Sequence, residues 1–404
     1  MAAVVSGAVV GSVVGLAPAA VADESVRSQE WYLDAMDAEA MWKVSDGDGV
    51  KVAVIDSGVS DGTPSLKGQV LADETPKSVA YHATEDYDGH GTTIAELIAG
   101  TGAGGGIKGL APGAKVVPYR VLLTSLKDQG ERKKTPEMAK AVRAAADTDA
   151  KIINLSVGQD VLDPELESAV KYAHAKGKLM FAAVGNNPDK NPDLIGYPAA
   201  YDGVVGVAAS DDEGKVGKFS QHGAFVDLAA PGLDIPRWCD ATLTSYCGKG
   251  EGTSASAAIA SGSAALIWSK HPDWTANQVL RVLTDTAARS WPADKPSTYL
   301  GHGLVRPARN LLHNEGRPGA AEVDPITNEK TTGAGSSSET TPSTSASGSS
   351  QPSQKPSDVP AEAAGSDAES SSDSNTLWIA LGAVAAVIVI GGGGFAVLRA
   401  RRGQ

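Results

Sequence analysis

Short apolar runs alternate with helical patterns along much of this chain. Val52-Ala53-Val54-Ile55 is a largely β-branched run closed by Asp56, Ser57 and Gly58, and it predicts a buried parallel strand with Asp56 at its C-terminal end. Ile94, Leu97 and Ile98 recur at helical spacing. Thr135-Pro136-Glu137 ahead of Met138 to Val142 predicts a helix start, with Thr135 as cap, proline in the first turn and an acid near the positive end. Asp163-Pro164-Glu165 repeats that signature and Gly177 marks a stop, while Thr275 and Gln278 predict a capping box. Ser254 to Lys270, rich in Ala, Ser and Gly, predicts a central buried helix whose small side chains permit close packing. Strands that alternate with helices predict an α/β fold, a mainly parallel sheet between helical layers. No repeat of solenoid period is present.

Three glycine-rich turns each carry one reactive side chain. Asp56 closes the first strand, where open α/β sheets gather their ligands. His90 stands between Gly89 and Gly91, which leave room for a backbone or a substrate to approach closely. Ser254 follows Gly252-Thr253 at the start of the small-residue helix, where the ordinary role of a serine is to cap. A serine hydroxyl becomes a competent nucleophile when an imidazole accepts its proton and a carboxylate fixes the imidazole tautomer and stabilises its cation. Asp56, His90 and Ser254 supply these three groups in the chain order Asp, His, Ser.

With these residues the chain resembles the subtilisin-like serine proteases, over roughly residues 30 to 312. Gly109-Leu110-Ala111-Pro112-Gly113-Ala114, followed by Val116 to Leu122, looks like the family's segment leading into the substrate-edge strand. Ile153-Asn154-Leu155 with Ser156, Val157 and Gly158 is similar to the strand whose end lines the main specificity pocket, and Ala182-Ala183-Val184-Gly185-Asn186 to the oxyanion segment. Tyr197-Pro198-Ala199, Phe219-Ser220 and Ala229-Ala230-Pro231-Gly232 match further landmarks. The resemblance implies a subtilisin-like three-layer fold and a triad of Asp56, His90 and Ser254. It also implies oxyanion donation from Asn186 and the Ser254 backbone N–H, and peptide hydrolysis through an acyl-enzyme. An extended protein or peptide substrate would pair with the backbone at Ser156, Val157 and Gly158. The chain departs from the family at Ala258, where many members carry a proline that shapes the helix start. Lys127 to Lys134 is longer and more charged than a minimal substrate-edge loop and reads as a solvated surface loop.

Composition narrows the partners. A net charge of −13 and a pI near 5.0 indicate no basic face for nucleic acid. No G-x-G-x-x-G follows the Asp56 strand, which removes a dinucleotide-binding reading. His82, His174, His222, His271, His302 and His313 have no metal-ligand spacing with cysteines or acids. Asp46-Gly47-Asp48-Gly49 lacks the remaining ligands and the terminal Glu of a calcium loop, and reads as a polar turn entering the strand. No metal or cofactor is therefore expected; the resembled family often binds structural calcium, yet no segment here identifies a site. Cys239 and Cys247 are the two cysteines, and in an exported chain they are expected to form a disulfide.

The ends of the chain point to export. Residues 1–22 read as a signal peptide with Ala20-Val21-Ala22 as its cleavage motif, without a clear basic leading region; an uncleaved N-terminal anchor is the other reading. Residues 23–49 form an N-terminal extension and 50–315 the peptidase domain. Residues 316–376 form a disordered stalk dominated by Ser, Thr, Pro, Gly and acids. Residues 377–398 are uncharged and, at about 1.5 Å per helical residue, long enough for a single transmembrane helix across about 30 Å of hydrocarbon. Arg399, Arg401 and Arg402 in the tail 399–404 should stay cytoplasmic, leaving the peptidase domain outside the cell membrane. The extension is too short to be a separately folded inhibitory propeptide. Together these features are similar to the mycosins, membrane-anchored actinobacterial subtilases associated with type VII secretion. That resemblance implies an extension packed on the domain and the secretion machinery as a partner. Two other readings remain: a scaffold of such machinery whose fold matters more than its cleavage, and a general surface subtilase unrelated to secretion.

Overall fold

The computed structural model describes residues 26–187 and 195–331. The expected signal peptide, most of the stalk, the span 377–398 and the basic tail lie outside the described residues. Among the described residues no helix is long and apolar enough to cross a membrane. The chain divides into units Met1–Ser338 and Glu339–Gln404, and every described residue belongs to the first.

The first unit is built on a six-stranded parallel sheet in the order β2-β1-β3-β4-β5-β6. The strands are β1 (Lys51–Asp56), β2 (Lys115–Arg120), β3 (Ile152–Leu155), β4 (Leu179–Ala183), β5 (Val204–Ser210) and β6 (Leu228–Pro231). Successive side chains feed opposite faces: Val52, Val54, Ile152, Val205 and Val207 join one core, Ala53, Ile55, Ile153, Leu155 and Val204 the other. Both faces are covered, and so the strands read as continuous apolar runs rather than alternations. A separate antiparallel hairpin pairs β7 (Ile235–Trp238) with β8 (Tyr246–Gly250).

Helices α1 (Trp31–Ala35), α2 (Ala38–Met41), α3 (His90–Ala99), α7 (Thr253–Lys270), α8 (Ala276–Thr286) and α9 (Pro307–His313) contribute to the first core. Helices α5 (Met138–Ala146) and α6 (Pro164–Ala175) cover the other face, completing the three layers expected from the sequence. Helix α7 is buried without interruption from Ser256 to Trp268. A Cβ at Gly262 would come within 3.1 Å of the Leu110 Cβ, so the small residues are what let this helix sit against its neighbours. Asp163 caps α6 through Glu165 and Leu166, and the Thr275–Gln278 capping box is complete.

The structure corrects three local expectations. Lys127 to Lys134 is not a loop: it holds α4 (Gln129–Lys134), capped by Asp128 and tied to the buried Arg120 by Glu131 at 2.9 Å. Thr135 ends this helix, donating its hydroxyl to the Glu131 carbonyl, so Glu137 rather than Thr135 takes the N-cap position of α5. Residues 316–331, counted with the stalk on composition, pack on the domain instead. The Ala321 carbonyl accepts from Thr275 and Asn277, the Val323 carbonyl accepts from Arg281, and buried Asp324 lies 3.2 Å from His174. The N-terminal extension also packs on the domain, where the indole N–H groups of Trp31 and Trp42 donate to Leu233 and Leu110, and the Tyr32 hydroxyl to Lys108.

Ending the chain after Glu315 should remove the contacts of the 316–331 strap, at a cost of roughly 2–4 kcal/mol from lost hydrogen bonds and the Asp324–His174 pair, and lower the melting midpoint by about 5 °C. Circular dichroism melts of the two lengths check this; an unchanged midpoint would show that the strap carries no stability.

Candidate active site

Asp56 ends β1 with its side chain fully buried. One of its oxygens, Oδ1, accepts the Ser57 backbone N–H at 2.7 Å and lies 2.7 Å from His90 Nδ1. This contact assigns a proton to Nδ1, so in the neutral imidazole Nε2 is the nitrogen able to accept. His90 is the first residue of α3, and its place is fixed by Asp86. Asp86 Oδ1 accepts from the backbone of Asp88 and Gly89 and from the Ser57 hydroxyl, while Oδ2 accepts both the N–H and the hydroxyl of Thr92. The helix start thus receives a carboxylate that answers its unpaired N–H groups. A Cβ at Gly91 would lie 2.1 Å from the Gly58 carbonyl, so glycine is what allows α3 to press onto the turn after β1.

Burial opposes the imidazolium of His90, but the charge and hydrogen bond of Asp56, helped by Asp86 and Asp88, outweigh it and push the pKa up to about 9. The folded-state value is raised. The pair therefore adds stability below the ordinary histidine range, and that stability is lost as pH climbs through about 9.

Ser254 is the second residue of α7. Its hydroxyl donates to the Ser156 carbonyl at 2.8 Å, and no hydrogen bond joins it to His90 among the described residues. A polar ladder lies beneath it: Ser156 Oγ donates to the Ser254 carbonyl, Asn154 Nδ2 to Ser156 Oγ, and Ser261 Oγ to Asn154 Oδ1. Rotation about χ1 of Ser254 is what would release the hydroxyl toward the imidazole, and such contacts are commonly loose in an unliganded site.

Asn186 Oδ1 accepts both the N–H and the hydroxyl of Thr253, at 3.0 and 2.9 Å, so its Nδ2 amide is the end left to donate. A Cβ built on Gly252 would lie 3.8 Å from Asn186 Nδ2 and 3.8 Å from the Ser254 backbone nitrogen. The two donors therefore converge on one region, as an oxyanion requires, and one such donor is worth about 3 kcal/mol to a transition state.

Two cavities meet at His90. One, of about 400 Å³, contains His90, Asn186, Gly252 and Ser254 and is walled by the β7–β8 hairpin. The Cys239–Cys247 disulfide closes that hairpin, with Cα atoms 5.0 Å apart. The other, of about 290 Å³, runs between Leu122–Ser125 and Ser156–Gln159, so Ser156, Val157 and Gly158 line a cleft. A Cβ at Gly158 would fall 2.8 Å from the Tyr197 carbonyl, which explains the glycine. A further cavity of about 360 Å³ beside Tyr201 and Asp227 holds none of these groups. Among the described residues no three His, Cys, Asp or Glu side chains are grouped to hold a metal.

Of the site residues named from sequence, His90, Asn186, Ser254, Ser156, Val157 and Gly158 line these cavities, Cys239 and Cys247 lie in the hairpin, and Asp56 is buried behind His90. Sequence reasoning missed the supports: Ser57, Asp86, Asn154 and Thr253. Asp86 had a signal in the Asp86-Tyr87-Asp88-Gly89 turn chemistry, and Asn154 in being the one amide inside an apolar strand.

Residues 47–311 match the subtilase family, peptidase S8. The thermostable alkaline protease of Halalkalibacterium halodurans is 32% identical over 267 residues, which cover 65% of this chain and 68% of that protein. Among solved structures, the MycP3 protease from the type VII (ESX-3) secretion system is similar with a TM-score of 0.57 and 30% identity, over 69% of this chain and 87% of that one. MycP1 from Mycobacterium smegmatis gives 0.58 and 28%, over 72% and 86%.

Two outcomes follow from this geometry. Gly252→Ala should place a methyl beside both donors and lower kcat on a peptide substrate by about 100-fold or more, as loss of one donor does, with little change in melting, since the φ of 171° suits any residue. Normal turnover would sink the oxyanion placement. The neutral imidazole is the base, so kcat/KM should rise with pH through a limb approaching 9, and Asp88→Asn, which removes a charge that raises His90, should move that limb to lower pH. A limb that moves to higher pH in the variant would contradict the electrostatics.

Proposed function

We propose a role at the cell surface, in type VII secretion, for this chain, which belongs to the subtilase family and is a subtilisin-like serine endopeptidase. In the proposed mechanism His90 Nε2 takes the Ser254 proton as the hydroxyl attacks a peptide carbonyl, and Asp56 holds the imidazole and stabilises its cation. Asn186 Nδ2 and the Ser254 N–H receive the oxyanion. His90 then passes its proton to the leaving nitrogen, and water admitted through the same base releases the acyl group from Ser254. The observation that carries this reading is that His90, held by the buried Asp56 at 2.7 Å, lines one cavity with Ser254 and two converging donors.

The secretion role is the finer step. It is supported by the likeness to proteases described as parts of type VII secretion systems, by an N-terminal extension bound to the domain through Trp31, Tyr32 and Trp42, and by the sequence of the two ends. The apolar stretch 377–398 and the arginines after it support a single-pass anchor with the catalytic domain outside and the C-terminus cytoplasmic.

A fluorophosphonate should label the purified protein and fail to label Ser254→Ala; a processed, folded protein that never labels would overturn the nucleophile assignment. In a strain lacking the gene, the wild-type chain should restore secretion. Ser254→Ala should not. Full rescue by that variant would instead favour a scaffold whose cleavage is secondary, and no rescue by the wild type would remove the secretion role.

A further inference from the structure

The hairpin wall is held in place by a carboxylate that the proposed mechanism does not use. Glu96 lies on α3, six residues after His90, and is fully buried. Its Oε1 accepts the Thr63 hydroxyl and its Oε2 the Tyr246 hydroxyl, each at 2.8 Å. Burial pushes the Glu96 carboxyl up to about 7 and raises the Tyr246 phenol as well. A core-facing helix position would be filled at lower cost by an apolar residue, so the two directed hydrogen bonds are what the acid provides there.

Tyr246 stands next to Cys247 on β8, and its ring stacks on Trp238 of β7 with centroids 3.8 Å apart. The Trp238 backbone N–H donates to Thr93 Oγ1 at 3.0 Å, back on α3. A Cβ at Gly89 would fall 2.5 Å from the Asp240 carbonyl, so the hairpin lies directly against the turn that carries His90. Trp238 and Cys239 line the 400 Å³ cavity with His90 and Ser254.

Among the described residues only Asp88 and His90 are shared by the linings of the two cavities, so the imidazole stands between them. The acyl half of a peptide paired along Ser156 to Gly158 occupies the smaller one. His90 must reach the leaving nitrogen, and the half of the peptide after the scissile bond therefore lies across the imidazole, against the hairpin. We propose that Trp238 is a specificity-determining residue for the positions after the scissile bond, and that Glu96 and Tyr246 are positioning residues that fix its ring. The inference rests on the assignment of Ser254, His90 and the acyl-side cleft given above.

Two substrates with the same acyl half separate this role from a general one: an internally quenched peptide extending three residues past the scissile bond, and the peptidyl p-nitroanilide, which has no residue there. Tyr246→Phe removes one hydroxyl and keeps the stacked ring. Its kcat/KM for the quenched peptide should fall by about fivefold or more relative to the nitroanilide, and Glu96→Gln, which keeps an acceptor oxygen, should lose less of that ratio than Glu96→Leu. Trp238→Ala should lose the most. Equal losses on both substrates, or none on either, would overturn the assignment. Fluorophosphonate labelling of each protein keeps the two readings apart. An unlabelled wild type sinks the nucleophile and this wall's role with it, whereas labelled variants with an unchanged substrate ratio sink the wall alone.

Discussion

A carboxylate placed out of reach of solvent must be answered by donors, and Asp56 meets that demand through one oxygen. Ser57 N–H and His90 Nδ1 both converge on Oδ1 at 2.7 Å, so the turn after β1 and the start of α3 cannot drift apart without stranding the acid. The other features around the turn follow from this fixed point. Gly91 removes the atom that would keep helix and turn apart, and Asp86 gathers the exposed N–H groups of the loop and helix start while tying back to Ser57. The surrounding sheet makes the arrangement rigid, since β1 is paired on both edges, with β2 and β3.

The same logic extends to the serine. Helix α7 reaches the sheet because its residues are small, and its first turn is then pinned by polar contacts that cross from other elements. Asn154 bridges β3 to α7 through Ser261 and supports Ser156, whose hydroxyl holds the Ser254 carbonyl; Thr253 holds Asn186. Asn154, Ser156, Thr253 and Ser261 are buried, so their polar groups would be costly to leave unpaired. Donors for a developing charge are thus aimed before any substrate arrives, which is what electrostatic preorganisation requires. Ala258 is buried in the continuous helix, and the α7 start forms without the proline found in many relatives.

The layers, the central helix and the three reactive residues were legible because each leaves a local pattern: an apolar run closed by an acid, a histidine between glycines, a serine before a small-residue helix. The supports were not, because their partners are distant in sequence. Asp86 caps a helix from outside its usual cap position, and nothing local distinguishes Asn154 from a misplaced polar residue. Lys127 to Lys134 misled for a related reason. A run of charge reads as solvated until Arg120, a strand residue facing the same place, supplies a partner for Glu131. Residues 316–331 were missed because composition counts side chains, whereas this segment is bound largely through main-chain carbonyls at Gly319, Ala321 and Val323.

Helix α3 is the element on which these contacts accumulate. Its first turn carries His90, its middle holds Thr93 and Glu96 against the hairpin, and the segment it leads to is bound by the N-terminal extension. There the Tyr32 hydroxyl donates to the Lys108 carbonyl, and Glu30 Oε1 accepts the Lys108 N–H. Burial raises the Glu30 carboxyl, so this acid too is retained against a desolvation cost. Two buried acids, Glu30 and Glu96, thus bind the extension and the hairpin to the frame that positions the imidazole.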